Sequence, residues 1–296
     1  MTSFFNLYSR MSSDAEYDPR LIANIDETML KALKRFCKVI TPRDQPRPFI
    51  AVDDKVIHIT LVATVFADGE SMMPLIILPN VYVPADLDDD ILSSFHWDGQ
   101  SSGWITMEIF ESFIRDVFIP EIQKRRRTFQ LEGKRALLLV DGHSSRANPD
   151  LLKICRDADI DVMTLVAHAS HMMQPLDKGV FLSFKTHLTG KSSYKAQKNL
   201  KEWRKELLLH AIVAMRTATT PFTVRRAFEL SVIFPIDSSK CLNASFFPNL
   251  GNLPNLPTIP AKRPRAGFKI SGRVLTSEAV IEELEQLKAN KSQKKA

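Results

Sequence analysis

Residues 136–166 read ALLLVDGHSSRANPDLLKICRDADIDVMTLV, a sequence with the pattern strand, helix, strand. The continuous apolar run at 136–140 ends at Asp141-Gly142, and a second apolar run follows at 161–166. Between the two runs, Asn148 is placed to cap a helix that has Pro149 in its first turn. A strand–helix–strand unit of about 30 residues joins parallel neighbours through a right-handed crossover. This stretch therefore predicts an α/β fold.

Apolar patterning predicts further elements on both sides of this unit. Two β-rich runs at 56–66 and 72–78 are separated by a turn that contains Asp68-Gly69, which is typical of a hairpin. Thr106 is placed to cap a helix whose apolar residues recur at helical spacing as far as Phe118. The C-terminal half is mostly helical in pattern, at 180–188, 194–215 and 221–230.

The composition is that of an ordinary globular protein. The 296 residues are 44% hydrophobic and 25% charged, which excludes a collagen, a disordered chain and a disulfide scaffold. Three widely spaced cysteines without a CxxC motif favour a reduced intracellular compartment. The longest apolar runs are far too short for a membrane span, and the first residues lack a signal-peptide pattern, so we expect no membrane association.

Charge and proline content divide the chain. The first 20 residues are polar without a clear period, and we interpret residues 1–20 as a flexible lead-in. Five of the 17 prolines lie between residues 248 and 264, which predicts a linker over 238–265. Residues 261–296 contain nine Lys or Arg and four Glu, so most of the net charge of +6 lies there. Residues 266–296 are thus predicted to be a basic tail, with a short amphipathic helix at 277–288.

Three aspartates are candidates for a metal site. Asp26 and Asp141 each follow a short apolar run, and Asp177 stands where a helix would begin. Sites in open α/β sheets form at the carboxyl ends of strands, so the three carboxylates can converge. Clustered carboxylates repel one another unless they are protonated or hold a cation, and oxygen ligands suit Mg²⁺ or Mn²⁺. Spacing alone leaves a simpler alternative open, in which each aspartate serves as a turn or cap residue.

Three segments resemble the catalytic motifs of the pogo, Tigger and jerky-like transposases of the DDE superfamily. They are Asn24-Ile-Asp-Glu-Thr28, Leu138-Leu-Val-Asp-Gly-His143 and the segment 168–181, which contains Gln174-Pro-Leu-Asp177. The resemblance covers roughly residues 21–237 and implies a catalytic domain with those bounds. It implies a ribonuclease-H-like mixed sheet flanked by helices with a helical C-terminal extension, and Asp26, Asp141 and Asp177 as the catalytic, metal-binding triad. Mg²⁺ or Mn²⁺ would be the cofactor.

Basic and imidazole side chains around the third motif are candidates for contact with DNA, because phosphate neutralisation dominates nucleic-acid affinity. The alternative for each lysine is that it lies on the solvated face of an amphipathic helix. His168 and His171 have HxxH spacing, but no Cys or Glu stands nearby at a spacing known for zinc sites. The candidates are His168, His171, Lys185, Lys195, Lys198 and Lys201. The string Lys262-Arg-Pro-Arg265 is a candidate nuclear import signal.

Two functional hypotheses follow from these motifs. The first is a transposase-derived, metal-dependent DNA endonuclease and strand-transfer domain that acts in the nucleus and can form a homodimer. The second is a catalytically silent nuclear DNA-binding protein; retention of all three aspartates favours the first. Members of the family carry helix-turn-helix DNA-binding domains before the catalytic domain. Only 25 residues precede Asp26, so we expect those domains to be absent from this chain.

Overall fold

A six-stranded mixed sheet forms the centre of the computed structural model, which describes residues 2–30, 58–80, 87–166, 170–191, 200–236 and 271–293. The strand order is β4-β3-β2-β1-β5-β6. The strands are β1 (Ile22–Met29), β2 (Thr60–Phe66), β3 (Leu75–Pro79), β4 (His96–Gln100), β5 (Ala136–Val140) and β6 (Ile160–Thr164).

Strand β1 separates an antiparallel part of the sheet from a parallel part. It pairs antiparallel with β2, which pairs antiparallel with β3, as predicted for the hairpin. On its other side β1 is parallel to β5, and β5 is parallel to β6. The edge strand β4 is parallel to β3. This arrangement, with helices on both faces, confirms the predicted ribonuclease-H-like α/β fold.

Helices cover both faces of the sheet, and each face has its own apolar core. The first face packs against α1 (Thr2–Ala15), α7 (Phe181–Lys191), α8 (Leu200–Ala218) and α9 (Pro221–Leu230). The second face packs against α3 (Met107–Phe113), α4 (Ile119–Phe129), α5 (Pro149–Asp157) and a C-terminal helix, α10 (Glu278–Gln293). The short helices α2 (Asp89–Leu92) and α6 (Ser170–Met173) lie in connections.

Local capping chemistry agrees with the sequence patterns. The Thr106 hydroxyl accepts a hydrogen bond from the backbone N of Ile109, and the Asn148 side chain accepts one from the backbone N of Asp150. A π-helical turn at Ile114–Phe118 links α3 to α4, and another at Leu176–Val180 precedes α7. The second turn carries Asp177, so the third motif begins a helix as predicted.

Residues 2–15 differ from the predicted flexible lead-in. They form α1, in which Phe4 and Tyr8 are buried and Met11 and Ala15 pack against the same core. The Tyr8 hydroxyl donates a 2.9 Å hydrogen bond to the backbone oxygen of Ile233. Positions 4, 8, 11 and 15 share one helical face, but the polar residues between them hide this spacing. The lead-in prediction was therefore wrong.

The C-terminal segment forms the predicted helix but is not a detached tail. The backbone N of Leu275 donates to the oxygen of Val162 at 2.7 Å, and the N of Thr164 donates to the oxygen of Arg273 at 2.9 Å. Residues 273–276 thus extend along β6, and three apolar residues of α10 are buried against the second face: Val280, Ile281 and Leu284. Burial of these three side chains attaches the C-terminal segment to the second face of the sheet. The predicted linker at 238–265 lies outside the described residues.

None of the described helices is by itself long and apolar enough to cross a membrane. Helices α8 and α9 meet that criterion only as a pair, and the pair is bent by 68° between Arg204–Ala218 and Pro221–Leu230.

Candidate metal centre

The two parallel strands β1 and β5 bring Asp26 and Asp141 together at one edge of the sheet. Their last paired positions are Asn24 and Leu139, and each aspartate lies two residues further along the chain, Asp26 within β1 and Asp141 directly after β5. Because side chains alternate along a strand, both carboxylates point toward the first face, the one that Leu139 also faces. Oxygens of Asp26, Glu27 and Asp141 all lie within 4.8 Å of one another. The expected convergence of the first two aspartates is therefore present.

Asp177 is held near this pair by a buried asparagine. The side chain of Asn24 donates a 3.1 Å hydrogen bond to the oxygen of Leu139 and accepts a 3.1 Å hydrogen bond from the backbone N of Leu176. These bonds tie the start of the π-helical turn to both central strands. Asp177 is exposed in the first turn of that segment, and its charge raises the pKa of Asp26. The group of oxygens within 4.8 Å of one another contains Asp26, Glu27 and Asp141 and does not include Asp177, whose link to Asp26 is electrostatic.

The electrostatics of Asp26 favour a proton or a cation at this edge. Only 8% of the residue is exposed, and burial raises the pKa of its carboxyl group well above the usual range. The negative charges of Glu27, Asp177 and Asp141 raise this pKa further, against the opposing effect of a hydrogen bond from the backbone of Glu27. A bound cation would relieve the same repulsion while leaving Asp26 ionised.

A buried arginine, Arg146, lies against the carboxylates, and its side chain is 0% exposed. Its Nε donates to Asp141 Oδ1 at 3.2 Å, Nη2 donates to Glu27, and Nη1 donates to Ser145 Oγ at 3.0 Å. The guanidinium also lies 4.1 Å from the centroid of the Phe110 ring. Burial alone would lower the pKa of Arg146, but Glu27 and Asp141 raise it. The arginine is therefore a fixed positive charge inside the cluster.

Glu27, Arg146 and Asn24 belong to this site but were not predicted from the sequence. Glu27 follows Asp26 directly and Asn24 interrupts an apolar run, so a signal was present for both. Arg146 lies in a 3₁₀ turn at Ser144–Arg146, and nothing in its sequence context indicates burial.

The predicted DNA-contact residues are only partly described. Lys185 is exposed on α7, with Nζ 5.8 Å from the centroid of the Phe181 ring. His171 falls in α6 and Lys201 in the first turn of α8. His168, Lys195 and Lys198 lie outside the described residues. Within the described ranges, the cluster suited to a metal contains carboxylates and no histidine, so its chemistry is that of a hard cation.

Two neighbouring strands of a ribonuclease-H-like sheet thus bring the carboxylates of this site together. Residues 56–230 match the family model described as DDE superfamily endonuclease. The chain belongs to this family. Asp141 and Asp177 lie inside the matched range, and Asp26 precedes it.

Curated relatives include transposon-related proteins. The chain is 29% identical over 89 residues to the Jerky protein homolog of Homo sapiens, which is 30% of this chain and 16% of that protein. It is 23% identical over 168 residues to the Pogo transposable element with KRAB domain of Mus musculus, 56% of this chain and 26% of that protein. The matches thus span at most about a quarter of these relatives' lengths.

Solved structures with a similar fold include that of a pre-cleavage Mos1 transpososome. The identity is 12% and the TM-score 0.45, and the match covers 77% of this chain and 61% of that chain.

Proposed function

We propose that this chain is a metal-dependent DNA endonuclease and strand-transfer domain of the transposase type. The observation that carries the proposal is the convergence of Asp26 on β1 and Asp141 just after the neighbouring strand β5, with Asp177 electrostatically linked to Asp26. Membership of the DDE endonuclease family supports the same function. The reaction adds water across a phosphodiester bond, and the 3′-hydroxyl that it releases can attack a second phosphodiester.

The donor set fits Mg²⁺ or Mn²⁺. Three aspartate carboxylates supply the hard oxygen ligands that these ions prefer, and the raised pKa of Asp26 marks an uncompensated negative site. In this assignment Asp26 and Asp141 share the cations, and Asp177 completes the set from the π-helical turn. When bound, two such ions would activate water and neutralise charge on the leaving oxygen. The chain's own contribution is to hold the three carboxylates together against their mutual repulsion.

DNA is the proposed partner and the nucleus the proposed location. Lys185 is an exposed cation on α7, the helix that follows Asp177, and the string at 262–265 has the composition of an import signal. A homodimer and contacts through His168, His171, Lys195, Lys198 and Lys201 remain predictions.

A plasmid assay tests the proposed activity. The purified chain is incubated with supercoiled plasmid and Mn²⁺, and nicked circles are measured over time. We expect Asp141→Ala to abolish nicking, because it removes a carboxylate that both cations need. The matched control is Asp157→Ala, an exposed aspartate on α5, which should retain the original rate. Nicking that persists unchanged in Asp141→Ala would exclude this site as its source.

A second candidate function is a catalytically silent DNA-binding protein. The positive charge of Arg146, which contacts Glu27 and Asp141, favours it because that charge offsets part of the repulsion without any metal. Calorimetric titration with Mn²⁺ distinguishes the two functions. Binding of two ions that is lost in Asp26→Asn supports the nuclease, whereas absence of Mn²⁺ binding supports the silent protein.

A further inference from the structure

Arg146 is bound to the site by several directed hydrogen bonds, which charge neutralisation alone would not require. Its side chain is fully enclosed, and its three nitrogens donate to three different side chains: Asp141, Glu27 and Ser145. An enclosed ion pair costs desolvation energy that is recovered only when the geometry is good and the remaining donors are satisfied. Each of the three guanidinium nitrogens of Arg146 has a partner, which meets part of that requirement.

The contacts define the orientation of Asp141. The guanidinium is planar and presents its donors in a rigid fork, and the Phe110 ring lies 4.1 Å from its carbon. With that plane held, the Nε donor holds Oδ1 of Asp141 at 3.2 Å. Asp141 is the first residue after β5, and its side chain is 28% exposed. The arginine therefore supplies a restraint on the Asp141 carboxylate that the strand itself does not.

Glu27 differs from the three aspartates in its surroundings. It follows Asp26 on β1, so strand alternation directs it toward the opposite face of the sheet. There its Oε1 accepts from Arg146. Asp141 also accepts from Arg146, through Oδ1, but it lies on the face that Asp26 shares, whereas Glu27 is directed away from that face toward the arginine. A cation bound by Glu27 would have to compete with the arginine on that side.

We propose that Glu27 is not a cation ligand, and that the Glu27–Arg146 pair is a positioning device that orients Asp141 for the metal. This inference rests on the proposed function. Of the four acidic residues near the site, Asp26, Asp141 and Asp177 are then the ligands. Glu27 has a structural role toward Asp141. Groups that orient a metal ligand in this way typically change metal affinity or activity by about 10–100-fold when they are mutated.

Mn²⁺ affinity, measured by calorimetry on the full chain without DNA, tests the role of Glu27 directly. Glu27→Gln leaves the arginine charge beside Asp141 uncompensated, so we expect Mn²⁺ to bind about tenfold more weakly. Arg146→Gln removes the restraint on Asp141 and leaves Glu27 in place, so we expect it to bind Mn²⁺ about as weakly as Glu27→Gln does. The double variant Glu27→Gln/Arg146→Gln should bind no more weakly than either single variant, because the pair acts as one unit. If Arg146→Gln binds Mn²⁺ as tightly as the original protein, or if the two losses add in the double variant, Glu27 is a ligand and the proposal is wrong.

The conservative variant Arg146→Lys tests positioning during turnover. Lysine keeps the charge but lacks the planar fork, so it cannot make the same three contacts. We expect the nicking rate constant to fall about 10–100-fold while the KM for plasmid changes little. The matched control is Arg126→Lys, which replaces a buried arginine of α4 that donates only to backbone oxygens: those of Lys134, Ala158 and Asp159.

The two variants separate positioning from general stability. Equal losses of rate in Arg146→Lys and Arg126→Lys, in step with equal losses in Tm, would overturn the positioning role. A chain that shows no nicking in any form contradicts the proposed function, but the Mn²⁺ titrations of the Glu27 and Arg146 variants still decide this inference.

Discussion

The side-chain oxygen of Asn24 accepts a 3.1 Å hydrogen bond from the backbone N of Leu176, 152 positions away in the chain. Asn24 is fully buried, and its amide nitrogen is bonded in turn to the oxygen of Leu139. One side chain thus joins the two central strands to the segment that carries Asp177. The relative placement of the three acidic motifs depends on this connection.

Asn24→Leu is expected to separate Asp177 from the other two aspartates. The substitution removes both hydrogen bonds of the buried Asn24 side chain, to the Leu139 oxygen and from the Leu176 N, at about 1–3 kcal/mol for each buried group that loses its partner. We expect a lower free energy of unfolding in urea and a loss of Mn²⁺ binding. Asn24→Asp keeps the acceptor for the Leu176 N but not the donor to the Leu139 oxygen. Its free energy of unfolding should lie between those of the original protein and Asn24→Leu. Unchanged Mn²⁺ binding in Asn24→Leu would show that the turn is held by other contacts.

The raised pKa of Asp26 makes the stability of the metal-free protein depend on pH. A carboxyl group whose pKa is higher in the folded state contributes stability below its unfolded pKa, and that contribution is lost as pH rises through the folded value. Asp26→Asn should therefore stabilise the protein in EDTA at pH 8 and have little effect near pH 3. Each unit of raised pKa corresponds to about 1.4 kcal/mol. Urea unfolding at the two pH values provides the measurement.

Divalent cations should offset the loss of stability that ionisation of Asp26 causes at high pH in the original protein. Mn²⁺ at pH 8 is expected to raise its Tm, because the cation stabilises the ionised carboxylates, whereas Asp26→Asn should show a smaller increase. An equal Mn²⁺-dependent increase in both proteins would indicate that the ion binds elsewhere.

The attachment of α10 to the sheet can be measured with two substitutions on one helix. Ile281 is buried against the second face, and Leu287 of the same helix is 37% exposed. Ile281→Ala is expected to lower the free energy of unfolding by about 2–5 kcal/mol, the usual range for a buried isoleucine. Leu287→Ala should have an effect within about 0.5 kcal/mol. Equally small effects would mean that the segment is a detached tail, as the charge pattern alone suggested.

Cys155 should be inert to thiol reagents in the folded protein. It is buried on α5, and burial raises the pKa of its thiol to about 12, so the thiolate is scarce at neutral pH. In a chain with Cys37→Ser and Cys241→Ser, we expect reaction with a disulfide reagent at pH 8 only after denaturant is added. Rapid labelling without denaturant would show that α5 opens readily.

Local patterns predicted the elements that local chemistry specifies. The hairpin at β2 and β3, the caps at Thr106 and Asn148, and the unit from β5 to β6 depend on residues close in sequence. Asp26 and Asp141 were also predictable, because each follows a short apolar run and the two runs form parallel neighbouring strands, although β1 continues past Asp26 to Met29.

Other features depended on partners far away in the chain. Helix α1 was missed because its apolar face is sparse and is recognisable only when Ile233 and the first face of the sheet lie beneath it. The C-terminal segment was misjudged for the same reason, since its basic charge was visible and the exposed edge of β6 was not. In both cases the deciding contact joins residues more than 100 positions apart.

The amino-acid order alone specifies the strand–helix–strand unit, the hairpin and the three acidic motifs, because hydrophobic period and capping act over a few residues. Only the folded chain brings a buried arginine against two of the acidic groups, Glu27 and Asp141. Arg146 reaches Glu27 across 119 positions of sequence, and its side chain is fully buried in that contact. Burial and charge pairing depend on what surrounds a side chain in space, and that environment exists only after the sheet and its two helical layers have assembled.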